Sequence, residues 1–144
     1  MNKWDDRFMD LARTVGGWSK DRSTKVGCVI IAPDRGIIST GYNGFPRGVD
    51  DTIEARHERP AKYKYTEHAE RNAIYAAAKR GVTLQGSTMV LPWFPCAHCA
   101  MAIVQSGIRE LVAIEPNLQD PRWGEDFKVA TEILSEGGIA VRFA

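Results

Sequence analysis

Short apolar runs alternate with helix-period segments along most of this chain, and that alternation leaves few folds open. Residues 25–32 are rich in Val and Ile, Pro33-Asp34-Arg35-Gly36 supplies turn chemistry, and residues 36–42 read as the returning strand of a hairpin. Residues 88–91, 110–115 and 139–143 are three further short strands. Between them lie helical patterns. Trp4, Phe8, Leu11, Val15 and Trp18 recur at steps of three and four, ending at Gly16-Gly17. Thr66 is placed to cap a helix over 67–80 that Gly81 stops, with Ala69, Ala73, Ile74 and Ala77 as a face of small side chains. Pro95 opens a helix running to Ser106, and Phe127, Ala130, Ile133 and Leu134 mark a last one before Gly137-Gly138. The order α, ββ, α, β, α, β, α, β predicts an α/β fold in one domain over residues 1–144. Its sheet should be largely parallel, with helices on both faces and one antiparallel hairpin.

Residues 43–66 stand apart. They show no steady period and are rich in Gly, Pro and charge, and irregular stretches this long in compact domains are usually functional or disordered. Charge narrows the partners: 19 basic against 18 acidic residues give +1, and even residues 47–64 are nearly balanced. A protein that lives on long nucleic acid usually carries a basic excess or stripe, so the balance argues against nucleic acid as a partner. Three cysteines, an odd number, argue against a secreted disulfide framework. The first ten residues carry no apolar signal-peptide core and no run is long enough to span a membrane, so a cytoplasmic address is expected.

The chemistry concentrates at two predicted helix starts: His68-Ala69-Glu70, and Pro95-Cys96 with Cys99. Cys96 and Cys99 are one helical turn apart, so both sulfurs aim the same way. At a helix N-terminus the dipole favours their thiolates, the form that binds metal. With His68 they make a three-donor nitrogen and sulfur set suited to zinc, and three protein ligands leave a fourth position for water, the mark of a catalytic site. Zinc lowers the pKa of such a water to about 7. Glu70 does not point in the ligand direction but can reach that water, take its proton and hand it to a ring nitrogen and then a departing amine. H-x-E followed by P-C-x-x-C is the signature of zinc nucleobase deaminases.

The match extends well beyond the motif. The chain resembles the deoxycytidylate (dCMP) deaminase family within the cytidine deaminase superfamily, over about residues 22–143. The resemblance rests on Lys25-Val26-Gly27-Cys28-Val29-Ile30, Gly41-Tyr42-Asn43-Gly44-Phe45-Pro46-Arg47-Gly48, Asp50-Asp51, His68-Ala69-Glu70-Arg71-Asn72-Ala73-Ile74, and Pro95-Cys96 to Cys99 with Gln105-Ser106-Gly107-Ile108. It implies a three-layer α/β/α sandwich around a five-stranded mixed sheet, zinc on His68, Cys96 and Cys99, proton shuttling by Glu70, and a substrate-sugar contact from Asn43. It also implies a homo-oligomer, and control by dCTP and dTTP near the Gly41-Tyr42-Asn43-Gly44 loop. Many relatives carry a cysteine for a second, structural zinc where this chain has Val49, so one zinc per chain is expected.

The function expected is hydrolytic deamination of a cytosine nucleotide, dCMP to dUMP, by attack of zinc-bound hydroxide at C4. The alternatives are another base, nucleoside or nucleotide, adenosine in transfer RNA, and a zinc-stabilised nucleotide-binding module without turnover. Glu70 speaks against the last, because a purely structural site has no use for a proton carrier. Substrate contacts are expected from Asn43, Ala69, Trp93 and the basic or hydroxyl residues Arg22, Ser23 and Lys25, with Arg47 a further candidate for the phosphate. His57 and His98 read as solvent-facing. Trp4 and Trp18 read as core or subunit-interface anchors, and Trp123 as a pocket edge or a packing residue.

Overall fold

The computed structural model describes residues 2–144. Helix α1 (Lys3–Gly16) starts at Asn2, whose side chain accepts the N–H groups of Trp4 and Asp5 at 2.9 and 3.0 Å, pairing donors that a helix start otherwise leaves open. Strands β1 (Gly27–Ile31) and β2 (Ile37–Tyr42) form the expected hairpin. The irregular stretch that follows contains a 3-10 turn (Glu54–His57) and the short helix α2 (Lys62–Tyr65). Then come α3 (Ala69–Arg80), β3 (Thr88–Val90), α4 (Ala97–Gln105), β4 (Glu110–Ala113), α5 (Gly124–Glu136) and β5 (Ala140–Phe143).

The five strands form one mixed sheet in the order β2-β1-β3-β4-β5. β1 is antiparallel to both neighbours, while β3, β4 and β5 run parallel. The sheet is therefore less parallel than the alternation of elements suggests. β2 and β3 point the same way and are linked through α3, a parallel crossover, and the crossover steps over β1. Local periodicity cannot tell which strand is stepped over.

Side chains alternate across the sheet with period two, and each face has its own core. Val29, Ile31, Val90 and Val112 meet Phe8, Met9 and Ala12 of α1 on one side. Cys28, Ile30, Met89, Leu91, Leu111 and Ala113 meet α3, α4 and α5 on the other. The result is a three-layer α/β/α arrangement. Each fully buried Leu, Ile, Val, Phe or Met contributes about 1.5–3 kcal/mol.

Helix α1 buries the middle of its predicted stripe but not the tryptophans at the two ends. It buries Phe8, Met9, Ala12, Val15 and Gly16, whereas Trp4 is 37% and Trp18, beyond the helix end, 61% exposed, which removes the core alternative for the two tryptophans. Backbone approach is the cause. A Cβ on Gly27 would lie 1.9 Å from the Ala12 carbonyl oxygen and 2.3 Å from the Gly16 nitrogen, so only the small-residue side of the helix fits against β1. Gly27→Ala is expected to destabilise the fold by about 3 kcal/mol, the upper range for overpacking. A urea midpoint unchanged from wild type would contradict this.

Two helix starts differ from expectation by a residue or two. Gly44 and Glu67 exchange backbone hydrogen bonds of 3.0 and 2.8 Å, which keeps residues 66–67 extended. α3 is therefore capped at His68 rather than Thr66. Cys96, not Pro95, caps α4. Because β2 and β3 share a direction, α3 and α4 both begin past the carboxyl ends of strands, where open α/β sheets place their ligands. Among the described residues no helix is long and apolar enough to cross a membrane.

Candidate metal centre

The two helix starts bring three metal-donor side chains together. His68 Nδ1 lies 3.5 Å from Cys96 Sγ and 3.4 Å from Cys99 Sγ, and the three donor atoms all fall within 4.8 Å of one another. His68 comes from the residue before α3, Cys96 caps α4, and Cys99 follows one turn later with its N–H 3.5 Å from the Cys96 sulfur. Cys99 is fully buried and the other two are half-buried. This is the one such group of three among the described residues. Cys28, the remaining cysteine, is buried in the core between the sheet and α3.

The charge states suit a cation. The hydrogen bond from Cys99 pushes the Cys96 thiol down to about 3, aided by His68 and opposed by burial. The same sulfur–sulfur bond, with burial, pushes Cys99 up. The hydrogen bond to Cys96 also pushes the His68 imidazole up, against the opposing effect of burial. One thiolate is in place, and a metal displaces the proton the pair retains. Two sulfurs and one imidazole nitrogen are a donor set that fits zinc.

His68 and Cys96 open onto a cavity of about 120 Å³ that Glu70, Ala69, Asn43, Trp93, Phe94 and Trp123 also line. Glu70 is 4% exposed, and burial pushes its carboxyl up, while His68 and its own backbone N–H act the other way. A carboxyl that binds protons more readily than usual therefore faces the same space as the donor trio. A second cleft, about 360 Å³, lies beside it and shares Asp21, Asn43, Lys62 and Thr66 as a common wall.

A family model for the cytidine and deoxycytidylate deaminase zinc-binding region matches residues 2–115. The chain belongs to this family. It is 42% identical to an "Uncharacterized deaminase in luxG 3'region" of Aliivibrio fischeri, covering 98% of this chain and 93% of that one. It is 32% identical to the deoxycytidylate deaminase of Mus musculus, over 97% of this chain and 79% of the relative. Among solved structures, the dCMP deaminase of cyanophage S-TIM5, in complex with dCMP and dUMP, superposes with a TM-score of 0.81 at 23% identity, covering 100% of this chain and 99% of that one. The protein is thus a hydrolytic deaminase of a zinc-binding family.

Within this deaminase the other expected site residues divide. Asn43 is buried and lines both cavities; its side-chain oxygen accepts the Val26 N–H at 2.9 Å and its amide donates to the Thr24 carbonyl at 2.8 Å. It braces the segment leading into β1 and retains a second amide hydrogen for a ligand. Ala69, Ser23 and Trp93 line the metal cavity. Arg22 and Lys25 do not: Arg22 is paired with Glu54 and faces the neighbouring cleft, and Lys25 is exposed outside both. Asp21 holds this turn, its carboxylate accepting the N–H groups of Ser23 and Thr24, and those two residues, though exposed, line the cavity. Arg47 also belongs to the larger cleft.

Gly41 lies where a Cβ would meet the Ala69 carbonyl oxygen at 2.4 Å, so the Gly41-Tyr42-Asn43-Gly44 loop packs directly on the start of α3. Tyr42 meets Trp18 edge to face at 6.2 Å. His98 is exposed, but His57 is half-buried, stacked on Phe45 at 4.9 Å, which corrects its solvent-facing reading. Trp123 both lines the cavity and stacks on Phe127 at 6.4 Å.

Residues that sequence reasoning passed over include Arg59, Lys62, Tyr63 and Arg122, all in the cavity wall. They come from segments without periodicity, so no local signal marked them. Asp126 was also missed. Its Oδ2 accepts the Ala97 N–H at 2.8 Å, which fixes the first turn of the helix that carries both cysteines. Asp126→Ala is expected to cost about 1 kcal/mol, the value of a lost cap, and to weaken zinc retention in a chelator competition. Unaltered retention would show that the cysteine turn holds without it.

Proposed function

We propose that this chain deaminates dCMP, converting dCMP and water to dUMP and ammonia, with residues 1–144 acting as one zinc-dependent deaminase domain. The observation that carries this reading is the buried Glu70 carboxyl facing the same cavity as the His68, Cys96 and Cys99 donor trio. In this reading the trio holds one zinc ion, which when bound activates water as a nucleophile near neutral pH. Glu70 takes the water's first proton and delivers it to the ring nitrogen, then takes the second from the hydroxyl added at C4 and delivers it to the amine, which leaves as ammonia as the C4 carbonyl forms. Asn43 holds the sugar through its free amide hydrogen, and Trp93 and Trp123 flank the base as apolar walls that limit bulk water. The deoxycytidylate deaminases among the relatives and the nucleotides in the cyanophage structure support the choice of dCMP.

The same reading extends to partners. The larger cleft, lined by Tyr42, Asn43, Gly44 and Arg47, is where dCTP and dTTP would act as effectors. The exposed Trp18 and Tyr42 pair beside it supports assembly as a homo-oligomer.

The test is ammonia release from zinc-loaded protein given dCMP, CMP, deoxycytidine, dCTP, guanine or a transfer-RNA anticodon arm. dCMP should turn over fastest. Ammonia from the anticodon arm or guanine alone, or from none of the panel, would overturn the reading.

A further inference from the structure

A single buried hydroxyl stands behind the wall that the two cavities share. Ser19 follows the end of α1 and is 3% exposed. Its backbone N–H donates to the Gly16 carbonyl at 3.0 Å, so the helix end fixes its place and leaves the side chain free to bond elsewhere. The hydroxyl donates to the Asn43 carbonyl oxygen at 2.7 Å and accepts the Asp21 N–H at 3.1 Å. Asn43 and Asp21 each line both the metal cavity and the larger cleft, whereas Ser19 lines neither.

Asn43 is held from several sides. Its N–H donates to the Val26 carbonyl at 3.2 Å, and its side chain bonds the backbone of Thr24 and Val26. The next residue, Gly44, exchanges backbone hydrogen bonds with Glu67, the neighbour of His68. Among the described residues Ser19 supplies the one side-chain group that bonds Asn43. Ser39 is a comparable hydroxyl with no cavity in front of it. It is 5% exposed and donates to the Ala73 carbonyl at 2.8 Å, and neither of those two residues lines a cavity.

We infer that Ser19 is a positioning residue for ligand binding in the metal cavity, joining the backs of Asn43 and Asp21 and so aiming the remaining Asn43 amide hydrogen inward. The inference rests on the proposed deaminase reading, in which that hydrogen holds the substrate sugar. Without the hydroxyl, the Asn43 carbonyl and the Asp21 N–H lose a partner in a sheltered place, and both residues shift to recover one. The sugar contact is made alike before and during the reaction, so poorer aim raises KM and spares kcat. The metal donors stand at the starts of α3 and α4 and keep their places.

The test measures dCMP kinetics, calorimetric binding of dUMP, zinc retention against a chelator and thermal unfolding in wild type, Ser19→Ala, Ser19→Cys and Ser39→Ala. Ser19→Ala should raise KM and the dUMP dissociation constant ~10-fold, the equivalent of one buried hydrogen bond. Its kcat should stay within about threefold of wild type, and its zinc retention should not change. Ser39→Ala should lose a similar amount of thermal stability and bind dUMP as wild type does. Ser19→Cys fills the same space with a weak donor and should follow Ser19→Ala, so it carries the test if the alanine variant folds poorly. Unchanged KM and dUMP binding in the Ser19 variants would overturn the inference. So would an equal loss of binding in Ser39→Ala, or a loss that falls on kcat or zinc instead. Binding of dUMP needs no turnover. A wild type that binds dUMP, more weakly in the Ser19 variants, yet releases no ammonia from dCMP would sink the deaminase reading and leave Ser19 in its role.

Discussion

Glu70→Gln is expected to retain zinc at the wild-type level and to lose ~10²–10⁴ in kcat, about 3–5 kcal/mol of transition-state stabilisation. Gln matches the shape of Glu, so the buried position (4% exposed) remains filled and the donor trio is untouched. What disappears is the ability to take up and release a proton. Deamination needs that twice, once for the ring nitrogen and once for the amine. KM for dCMP should change far less than kcat, because the lost interaction belongs to the transition state rather than to ground-state binding. Metal content and steady-state kinetics on the same preparation check both halves. A zinc-loaded variant turning over within tenfold of wild type would remove Glu70 from the proton path.

Cys96→Ser is expected to lose most of its zinc and all measurable activity, and chelation of the wild type should do the same reversibly. Serine supplies a hydroxyl oxygen to cap α4 in place of the Cys96 sulfur, which accepts the Cys99 N–H, so the variant isolates the loss of the soft sulfur donor from damage to the helix. Two donors remain, His68 and Cys99, too few to hold a catalytic zinc that uses three. Stability should fall as well, since metal binds only the folded arrangement of residues drawn from two helices. With zinc at 1,000 times its dissociation constant this linkage is worth about 4 kcal/mol, or roughly 10 °C in Tm for a chain of this size. Thermal unfolding with and without added zinc measures it: the wild type should respond and the variant should not. Full activity in metal-stripped protein would exclude the metal from the chemistry.

Much of the architecture was legible along the chain because its signals are local. The Pro33–Gly36 turn with its flanking Val and Ile residues marks the hairpin. Gly81 stops α3 with a φ of 69° that other residues rarely adopt, and Gly137-Gly138 closes α5. Periodicity did not reveal α2, since a four-residue helix shows barely one turn of pattern. On α1 it marked Phe8, Leu11 and Val15, which lie in or against the core, but not the exposure of Trp4. Trp4 and Trp18 are the larger apolar groups, but Ala12 and Gly16 are what fit against Gly27. Packing is decided by how closely two backbones approach, and hydrophobicity along one segment does not report that distance.

The metal trio and Glu70 were legible for a different reason: zinc hydrolysis restricts residue type and spacing, so the chemistry leaves its pattern in the primary structure. The cationic wall left none. Arg22, Lys25, Arg59 and Lys62 look alike as letters, and Arg22, adjacent to Ser23, was the natural choice. Only the folded chain shows Arg22 committed to Glu54 while Lys62, 39 residues beyond Ser23, meets its hydroxyl. The amino-acid sequence by itself determined the alternation of elements, the three clustered metal donors and the choice of Glu70 beside them, because turns, caps and ligand spacing act over a few residues. The tertiary structure alone decided the place of β1 between β2 and β3 and which cations line the metal cavity, because each depends on contacts between segments far apart in the chain, where sterics and charge are settled only once the backbone has closed.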